Sequence, residues 1–249
     1  VMIAAIVQAR MGSTRLPGKV MKEVMGRPLL SYLIERIRSC SIVEKTIIAT
    51  TINKEDDAIV LLAERESIPV YRGSQDDVLD RYYQTAKKYQ FDNVIRITAD
   101  CPLVDPTICN KVIEVYLNSD VDFVHTALDF PEGVDCEIFS FPALERSWKE
   151  ARKKSEREHL TLYIHHHPEI FKKTTLHNNI NQSRYRFTVD ESEDFEVVKR
   201  IIEALYIERE EPFGADKIIE YLDLHPEVFM INQDVVRNVG LIKSLKEEE

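Results

Sequence analysis

A loop near the start of the chain carries the most informative set of charged side chains. Residues 9–19 read ARMGSTRLPGK and come directly after a short apolar segment. The candidate nucleotide-binding residues of this loop are Ala9, Arg10, Gly12, Ser13, Arg15 and Lys19. Its cations can neutralise a triphosphate, and its glycines allow the backbone to approach an anion that hydroxyl and N–H groups then bind. The glycine spacing fits neither a Walker loop nor a dinucleotide-binding loop, so an ordinary basic turn is the alternative interpretation.

Two aspartates follow apolar segments that look like strands. Asp100 comes after residues 94–98, and Asp190 comes after residues 185–189. Functional groups collect at the carboxyl ends of parallel strands, and carboxylate oxygens are the ligands that Mg²⁺ prefers. The two side chains could therefore hold one metal ion. Each aspartate could instead cap a turn or a helix, and for Asp190 the sequence does not separate the two roles.

A polar turn at residues 73–77 could contact the ribose or the base of a nucleotide. The candidate contacts are Arg72, Ser74 and Asp77. Ser74 and Asp76 could equally cap the helix that follows, and Asp80 with Arg81 could form a solvated face of that helix. The functional and structural interpretations are nearly balanced here.

An irregular polar region later in the chain could bind an acceptor molecule. The candidate substrate-binding residues are Glu132, Asp135, Glu137 and His159. His159 belongs to a second polar cluster at residues 157–159, and both groups could serve a subunit interface instead. The three consecutive histidines at 165–167 point in different directions on any regular element, so we interpret them as structural.

The segments around these residues alternate between strand and helix patterns. Strands are predicted over residues 2–7, 46–51, 70–71, 94–98, 121–125 and 185–189. Helices are predicted over residues 28–37, 56–65, 78–89, 106–116 and 195–206, with two short helices between 214 and 230. Such alternation predicts a three-layer α/β/α fold around a mostly parallel, doubly wound sheet.

Residues 1–249 are predicted to form a single domain with two irregular stretches. Residues 126–165 contain prolines and a charged run, which indicates an insertion that borders the sugar site or a dimer interface. Residues 243–249 are expected to be frayed or disordered.

Composition excludes several classes of protein. The formal net charge of −10 and the pI of about 5.3 oppose binding of nucleic acid, so an anionic substrate needs a local basic site. The four cysteines have no metal-type or redox-type spacing, so we expect reduced thiols, no zinc and a cytoplasmic protein. Gln8 and Arg10 interrupt the first apolar segment, so neither a signal peptide nor membrane insertion is expected.

Five ordered motifs resemble the spore coat polysaccharide biosynthesis protein F family, within the cytidylyltransferases that make CMP-Kdo and CMP-acylneuraminate. They are residues 8–19 (QARMGSTRLPGK), 73–83 (GSQDDVLDRYY), 96–105 (RITADCPLVD), 132–137 (EGVDCE) and 187–195 (FTVDESEDF). The resemblance covers nearly the whole length of the chain. Gln8 stands where the CMP-Kdo and CMP-acylneuraminate enzymes commonly have proline.

The resemblance implies a fold like that of the GT-A nucleotide-diphospho-sugar transferases. It implies transfer of CMP from CTP to an acidic or unusual sugar, with release of pyrophosphate, in spore coat polysaccharide biosynthesis. Another nucleoside triphosphate, such as UTP, is the alternative donor, because the residues themselves do not identify the base. Mg²⁺ is the implied cofactor, with Asp100 and Asp190 as its ligands, and a homodimer is implied by relatives. The expected catalytic residues are Arg10, Arg15, Lys19 and Asp100. No side chain stands out as the general base.

Two other functions use the same predicted fold. A glycosyltransferase of the GT-A type would bind a nucleotide-sugar and usually carries an Asp-x-Asp metal motif. No such motif follows the strand predicted over residues 94–98. Asp120 and Asp122 have the Asp-x-Asp spacing, but they begin a predicted strand, whereas a metal motif is expected at the carboxyl end of one. The other is a silent nucleotide-sugar-binding subunit, against which the intact cations and aspartates argue.

Overall fold

The computed structural model describes residues 1–248, and its centre is a seven-stranded sheet. The strands, in chain order, are β1 (Ile3–Gln8), β2 (Glu23–Val24), β3 (Arg27–Pro28), β4 (Lys45–Thr51), β5 (Val70–Gly73), β6 (Asn93–Thr98), β7 (Phe123–Thr126), β8 (Glu137–Ser140) and β9 (Lys173–Leu176). Strands β2 and β3 form a separate antiparallel ribbon. The others lie in the order β5-β4-β1-β6-β8-β7-β9, and only β8 runs antiparallel to its neighbours.

Helices cover both faces of this sheet. They are α1 (Leu29–Arg38), α2 (Asp57–Arg65), α3 (Val78–Tyr89), α4 (Pro106–Leu117), α5 (Phe141–Glu150), α6 (Lys154–Glu158), α7 (Leu162–His166), α8 (Ser192–Leu205), α9 (Ala215–Leu224), α10 (Pro226–Phe229) and α11 (Val239–Lys246). One core lies between the sheet and α1, α2 and α4, and a second lies between the sheet and α3, α5 and α7. A third core packs α8 and α9 beside the sheet. The predicted α/β class with a mostly parallel sheet is confirmed.

The central strand shows why this arrangement forms. Successive side chains of β1 enter opposite cores: Ala5 and Val7 join the first core, whereas Ala4 and Ile6 join the second. All four are fully buried, which explains the continuous apolar run in a strand covered on both faces. Full burial of a side chain such as Ile6 stabilises the fold by about 1.5–3 kcal/mol.

Capping residues define the starts of the helices that flank the carboxyl edge of the sheet. The Asp77 carboxylate accepts a hydrogen bond of 2.8 Å from the backbone N–H of Asp80 at the start of α3. Asp105 caps α4 in the same way, and its second oxygen accepts a bond of 2.7 Å from the backbone N–H of Ala215. The second bond connects the start of α4 to the start of α9.

Three details differ from the sequence-based expectations. Residues 185–189 are extended but make only an isolated bridge between Arg186 and Glu132, because their backbone bonds to loops rather than to a sheet strand. The predicted insertion at 126–165 contains β8, which lies in the middle of the sheet between β6 and β7. The short strand β9 was not predicted, since its four residues show no apolar run and no alternation of burial.

The end of the described chain is more ordered than expected. Helix α11 occupies most of the predicted frayed stretch, and the Glu248 carboxylate accepts hydrogen bonds of 2.5 Å and 2.6 Å from the backbone and hydroxyl of Ser155. The expectation for Glu249 lies outside the described residues. Within residues 1–248, none of the helices has both the length and the apolar character needed to cross a membrane.

The cysteines are buried free thiols. Sequence spacing predicts no pairing among them, yet the sulfur atoms of Cys109 and Cys136 lie 3.2 Å apart as a thiol contact in the first core. Burial raises the pKa of the Cys101 thiol well above its ordinary value. Such thiols are poor nucleophiles, in agreement with a packing role.

Candidate active site

The cation loop, residues 9–19, lies at the carboxyl edge of the sheet because β1 ends there. Gln8 is in register with Thr98 of β6, so the loop emerges beside the turn that carries Asp100. The Met11 carbonyl accepts hydrogen bonds of 2.9 Å from the N–H groups of Ser13 and Gly18, which closes the loop on itself. Gly18 adopts the left-handed conformation, with φ of 68°, that this closure requires.

The loop directs two of its cations at the strand-end aspartates. The Lys19 ammonium lies 2.9 Å from the Asp190 carboxylate and 3.7 Å from the Asp100 carboxylate. Arg15 is 3.2 Å from Asp190 and 2.9 Å from Glu191. Arg10 is exposed, and within residues 1–248 it forms no ion pair. The structure therefore brings Arg15 and Lys19 into one cluster with Asp100 and Asp190, and it leaves the third predicted cation, Arg10, outside that cluster.

Charge pairing dominates the ionisation of this cluster. Burial alone would lower the pKa of Lys19, but Asp100 and Asp190 raise it above its ordinary value. Burial likewise would raise the pKa of Asp190, but Lys19, Arg15 and Arg186 hold it below its ordinary value. The ammonium and the carboxylate are therefore both charged over the neutral pH range.

The remaining loop residues shape the backbone or lie beside it. Ala9 is 3% exposed and continues the β1 ladder through a bond to Ala49. The Ser13 hydroxyl accepts a bond of 3.2 Å from the backbone N–H of Leu16, which leaves its own proton free to donate. Gly12 lies next to the carboxylate of Glu55.

The carboxylates at this edge fit a divalent cation. Asp100 and Asp190 reach the same ammonium, so a small cation can be shared between them. The Oδ1 atom of Asp100 is buried without a hydrogen-bond partner, although most buried polar atoms have one. Among residues 1–248 no group of three or more potential ligands surrounds one point, so other ligands would be phosphate and water oxygens.

A buried network, which sequence reasoning missed, holds Asp190 in place. The Arg186 guanidinium pairs with Asp194 at 2.8 Å and with Asp190 at 3.1 Å. Asp194 also accepts bonds from the N–H groups of Asp190 and Glu191, and Asn232 donates to it at 2.9 Å. Burial would raise the pKa of Asp194, but these bonds hold it below its ordinary value.

The same network shows that Asp190 is not the cap of the helix that follows it. Glu191, rather than Asp190, is the N-cap of α8, and it forms a capping box with Asp194. The Glu-x-x-Asp spacing that precedes this helix is the signal that could have identified the cap. The Asp190 side chain is thereby left to face Lys19.

Gly133 allows the loop that carries Glu132 to pack against residues 186–188. A Cβ atom at position 133 would lie 2.8 Å from the carbonyl carbon of Phe187, and the residue adopts a φ of 122°. Only glycine allows both the conformation and the approach. As a result Glu132 lies against Arg186, and their side chains form an ion pair.

The candidate contacts at the 73–77 turn have protein partners. Arg72 donates bonds of 2.7 Å to the carbonyls of Thr51 and Asn53 and pairs with Asp57. Asp77 caps α3 and pairs with Arg157 at 2.7 Å. The Ser74 hydroxyl accepts from the backbone N–H of Asp77 at 3.1 Å. These three side chains define the shape of the turn.

The sequence suggested that Arg81 lies on a solvated face of α3, but the structure shows that it is buried. It is 2% exposed, and its Nη1 donates a bond of 2.7 Å to the Ser74 carbonyl under the turn. Burial lowers the pKa of this guanidinium, and its Nε has no hydrogen-bond partner. The sequence could not reveal this burial because the partner of Arg81 is a backbone carbonyl.

The four candidate acceptor residues fall into two groups. Glu132 and Asp135 lie near Arg237, which is 3.9 Å from the first carboxylate and 3.1 Å from the second. Glu137 lies instead at the start of β8, where its carboxylate pairs with Arg96 of the neighbouring strand β6 at 3.0 Å. His159 accepts or donates a bond of 2.9 Å with Ser244 of α11.

The consecutive histidines point in three directions. His166 contacts Glu156, and His167 contacts Glu169. The ring of His165 packs edge-on against Phe123. This separation agrees with the structural interpretation.

Known proteins share this fold and these motifs. The model of a cytidylyltransferase family matches residues 4–221. An uncharacterized protein of Methanocaldococcus jannaschii is 38% identical over 240 residues, which are 94% of this chain and 95% of the relative. The spore coat polysaccharide biosynthesis protein SpsF of Bacillus subtilis is 32% identical over 234 residues, 90% of this chain and 95% of the relative.

A solved structure extends the likeness to three dimensions. The cytidylyltransferase of Leptospira borgpetersenii has a TM-score of 0.87 and 32% identity, and the match covers 95% of this chain and 99% of that one. The resemblance seen in the five motifs is thus confirmed along most of the chain. Together with the cluster of cations and carboxylates at the sheet edge, these matches show that the chain belongs to the cytidylyltransferase family.

Proposed function

We propose that this protein is a Mg²⁺-dependent enzyme that transfers CMP from CTP to an acidic or unusual sugar. The observation that carries the proposal is the convergence of Lys19 with Asp100 and Asp190 beside a loop that supplies two more cations. Family membership supports the cytidylyl group, and similarity to SpsF supports a role in surface polysaccharide synthesis.

The cations of the loop would bind the triphosphate. Arg10 is already free of carboxylate partners in residues 1–248, whereas Arg15 and Lys19 would exchange carboxylate oxygens for phosphate oxygens. Asp100 and Asp190 would hold Mg²⁺, which supplies neutralisation of charge on the phosphate oxygens. Once the substrate is bound, charges held around its phosphates would stabilise the transition state.

The reaction balances as an in-line displacement at the α-phosphorus. A hydroxyl oxygen of the sugar forms a bond to the α-phosphorus, and the bond from that phosphorus to the bridging oxygen of pyrophosphate breaks. The hydroxyl proton passes to solvent water as the new bond forms. Positioning of the two substrates and neutralisation of the leaving group provide most of the rate enhancement.

Within residues 1–248, the Asp-x-Asp spacing of Asp120 and Asp122 does not lie beside the cation loop. Asp120 and Asp122 precede β7, which runs parallel to β6, so they lie at the edge of the sheet opposite to Asp100. Both aspartates bind Lys172: the Asp120 carboxylate pairs with its ammonium at 2.6 Å, and Asp122 accepts from its backbone N–H. Neither carboxylate is directed at the cation loop.

Pyrophosphate release tests the proposal. The protein is incubated with Mg²⁺ and each of CTP, UTP, ATP and GTP, against a panel of sugar acids and amino sugars. We expect release only with CTP and an acidic or unusual sugar, and a loss of about 100-fold or more in Asp100→Asn. Asp120→Asn, a matched change on the opposite edge, should retain full activity. Transfer from a nucleotide-sugar without pyrophosphate release would contradict the proposal.

A further inference from the structure

We infer that Asp56 is a positioning residue of the nucleotide site, which sets the affinity for polyphosphate by holding the backbone of the cation loop at Met11. The inference rests on the proposed function, because it assigns a role in CTP binding. Asp56 lies outside the five motifs and does not itself face the cluster around Lys19.

Asp56 lies where a local capping role would be expected, yet its side chain does not cap. The residue ends the 3₁₀ turn Lys54–Asp56 and occupies the N-cap position of α2, but its carboxylate accepts no bond from that helix. Aspartate at an N-cap usually accepts from the second or third helical N–H. Here the carboxylate reaches across the sheet edge, and Oδ1 accepts a bond of 2.6 Å from the backbone N–H of Met11.

Met11 is the residue on which the conformation of the cation loop depends. Its carbonyl accepts the bonds from Ser13 and Gly18 that close the loop, while its N–H donates to Asp56. Between residues 10 and 17, this is the only backbone hydrogen bond that leaves the loop in the described structure. The orientation of the backbone N–H groups therefore depends on one carboxylate.

The other oxygen of Asp56 is fixed to the sheet. The Thr51 hydroxyl donates to Oδ2, and the same hydroxyl accepts a bond of 3.1 Å from the backbone N–H of Asn53. Thr51 ends β4, and both Thr51 and Asp56 are fully buried. Since a buried carboxylate is costly unless its oxygens are hydrogen-bonded, these contacts also explain how the charge is tolerated.

Charge and anchoring predict opposite effects at this position. If Asp56 acted on the nucleotide only as a negative charge, its removal would strengthen the binding of a polyphosphate. If it acts as the anchor of Met11, removal frees the loop and weakens binding. Asp56→Asn removes the charge but keeps an oxygen acceptor for Met11, whereas Asp56→Ala removes both.

The test measures binding of CTP with Mg²⁺, and of tripolyphosphate with Mg²⁺, by calorimetry. We expect Asp56→Ala to weaken the binding of both ligands by about ten-fold or more and to raise the KM for CTP. The reason is that binding groups displaced from their proper positions lose a large part of their interaction with a ligand. Asp56→Asn should bind within about two-fold of the wild type, or more tightly, since the anchor remains. Thr51→Val should weaken binding by about three-fold, since the carboxylate then loses its own support.

Asp105→Ala is the matched control for an indirect effect of stability. Asp105 is also a buried aspartate that accepts several backbone N–H bonds, but it holds α4 and α9. The variant Asp105→Ala should lower the Tm of the protein without changing the Kd for CTP or for tripolyphosphate. Unchanged or tighter binding by Asp56→Ala would overturn the inference, as would equal weakening in Asp105→Ala.

Thr51→Val keeps the inference falsifiable if Asp56→Ala does not fold, because unchanged binding by a folded Thr51→Val would then overturn it. The two probes separate this inference from the proposed function. A wild-type protein that binds tripolyphosphate but not CTP refutes the proposed function and still allows the Asp56 comparison. One that binds neither overturns both.

Discussion

At the scale of single residues, Lys19 is the side chain that joins the cation loop to the strand-end aspartates. Its ammonium lies within 4 Å of two carboxylates that would otherwise repel each other, at 2.9 Å and 3.7 Å. A divalent cation bound to those carboxylates would compete for the same oxygens and release the ammonium towards phosphate. Under the proposed function, these ion pairs would hold the side chains close to the positions in which they bind the substrate.

Replacement of Lys19 by Met should remove this charge while keeping most of the packing volume. We expect kcat/KM for CTP to fall by about 100-fold or more, as happens when one stabilising donor is lost from a transition state. Lys22→Met is the matched control, since the Lys22 ammonium packs 4.8 Å from the ring of Phe195 and reaches neither aspartate. Steady-state kinetics of both variants give the comparison. Equal losses in the two variants would refute a specific role for Lys19.

At the scale of elements, the extended segment 186–190 determines where the second carboxylate lies. It is held by the bond of Phe187 to the Glu132 carbonyl, at 2.8 Å, and by that of Val189 to the Asp100 carbonyl, at 2.7 Å. The second bond connects the backbones of the two aspartate-bearing turns. The spacing of Asp100 and Asp190 is thus set by main-chain contacts.

Gly133→Ala should disturb this segment. The new methyl group would overlap the backbone of Phe187 at 2.8 Å, so the segment must shift and the fold should lose about 2 kcal/mol or more. Gly26→Ala is a matched control, because Gly26 also has a positive φ, of 75°, but has no atom near the position of a Cβ. It should cost only about 1 kcal/mol. Urea denaturation measures both, and equal costs would show that the close approach is unimportant.

The elements also show what the sequence could and could not predict. The helix over residues 78–89 was predicted with its observed ends, because an apolar face and capping aspartates are local signals. In residues 185–189 the apolar side chains of Tyr185, Phe187 and Val189 alternate with polar ones, which is the pattern of a strand, although all five residues are buried. Such alternation does not reveal the hydrogen-bonding partner of the backbone. The role of Asp56 was invisible for the same reason, since its partner is a backbone N–H 45 residues away.

At the scale of the whole molecule, the antiparallel strand β8 connects β6, on the side of the sheet that carries the cation loop, to β7 and β9 at its other edge. Glu137 of β8 is in register with Arg96 on one side and with His125 on the other. Thr161 donates to the same carboxylate at 3.1 Å. Burial raises the pKa of Tyr82 in α3, and the nearby charge of Glu137 raises it further. The substrate-binding role that the sequence suggested for Glu137 stays a prediction, and its contacts also place it at a junction of β6, β7, β8 and the start of α7.

Glu137→Gln should therefore destabilise the fold in a pH-dependent way. Burial would raise the pKa of Glu137, but Arg96, with His165 and His125, holds it below its ordinary value of 4.5. A carboxylate with a lowered pKa in the folded state contributes stability above its unfolded pKa, and this is lost as the pH falls through the folded pKa. We expect the variant to be about 1–3 kcal/mol less stable at pH 7, because Arg96 is left without its partner.

The difference between Glu137→Gln and the wild type should shrink as the pH falls below about 4.5, the ordinary pKa of the carboxyl group. Urea denaturation at pH 7, 5, 4 and 3.5 measures it, with the two proteins compared at each pH because the neighbouring histidines titrate as well. Glu145→Gln, on the exposed side of α5, should match the wild type throughout, since its pair with Lys149 is a surface pair. A difference that stayed constant down to pH 3.5 would mean that packing around Glu137, and not its charge, supports the junction of the three strands.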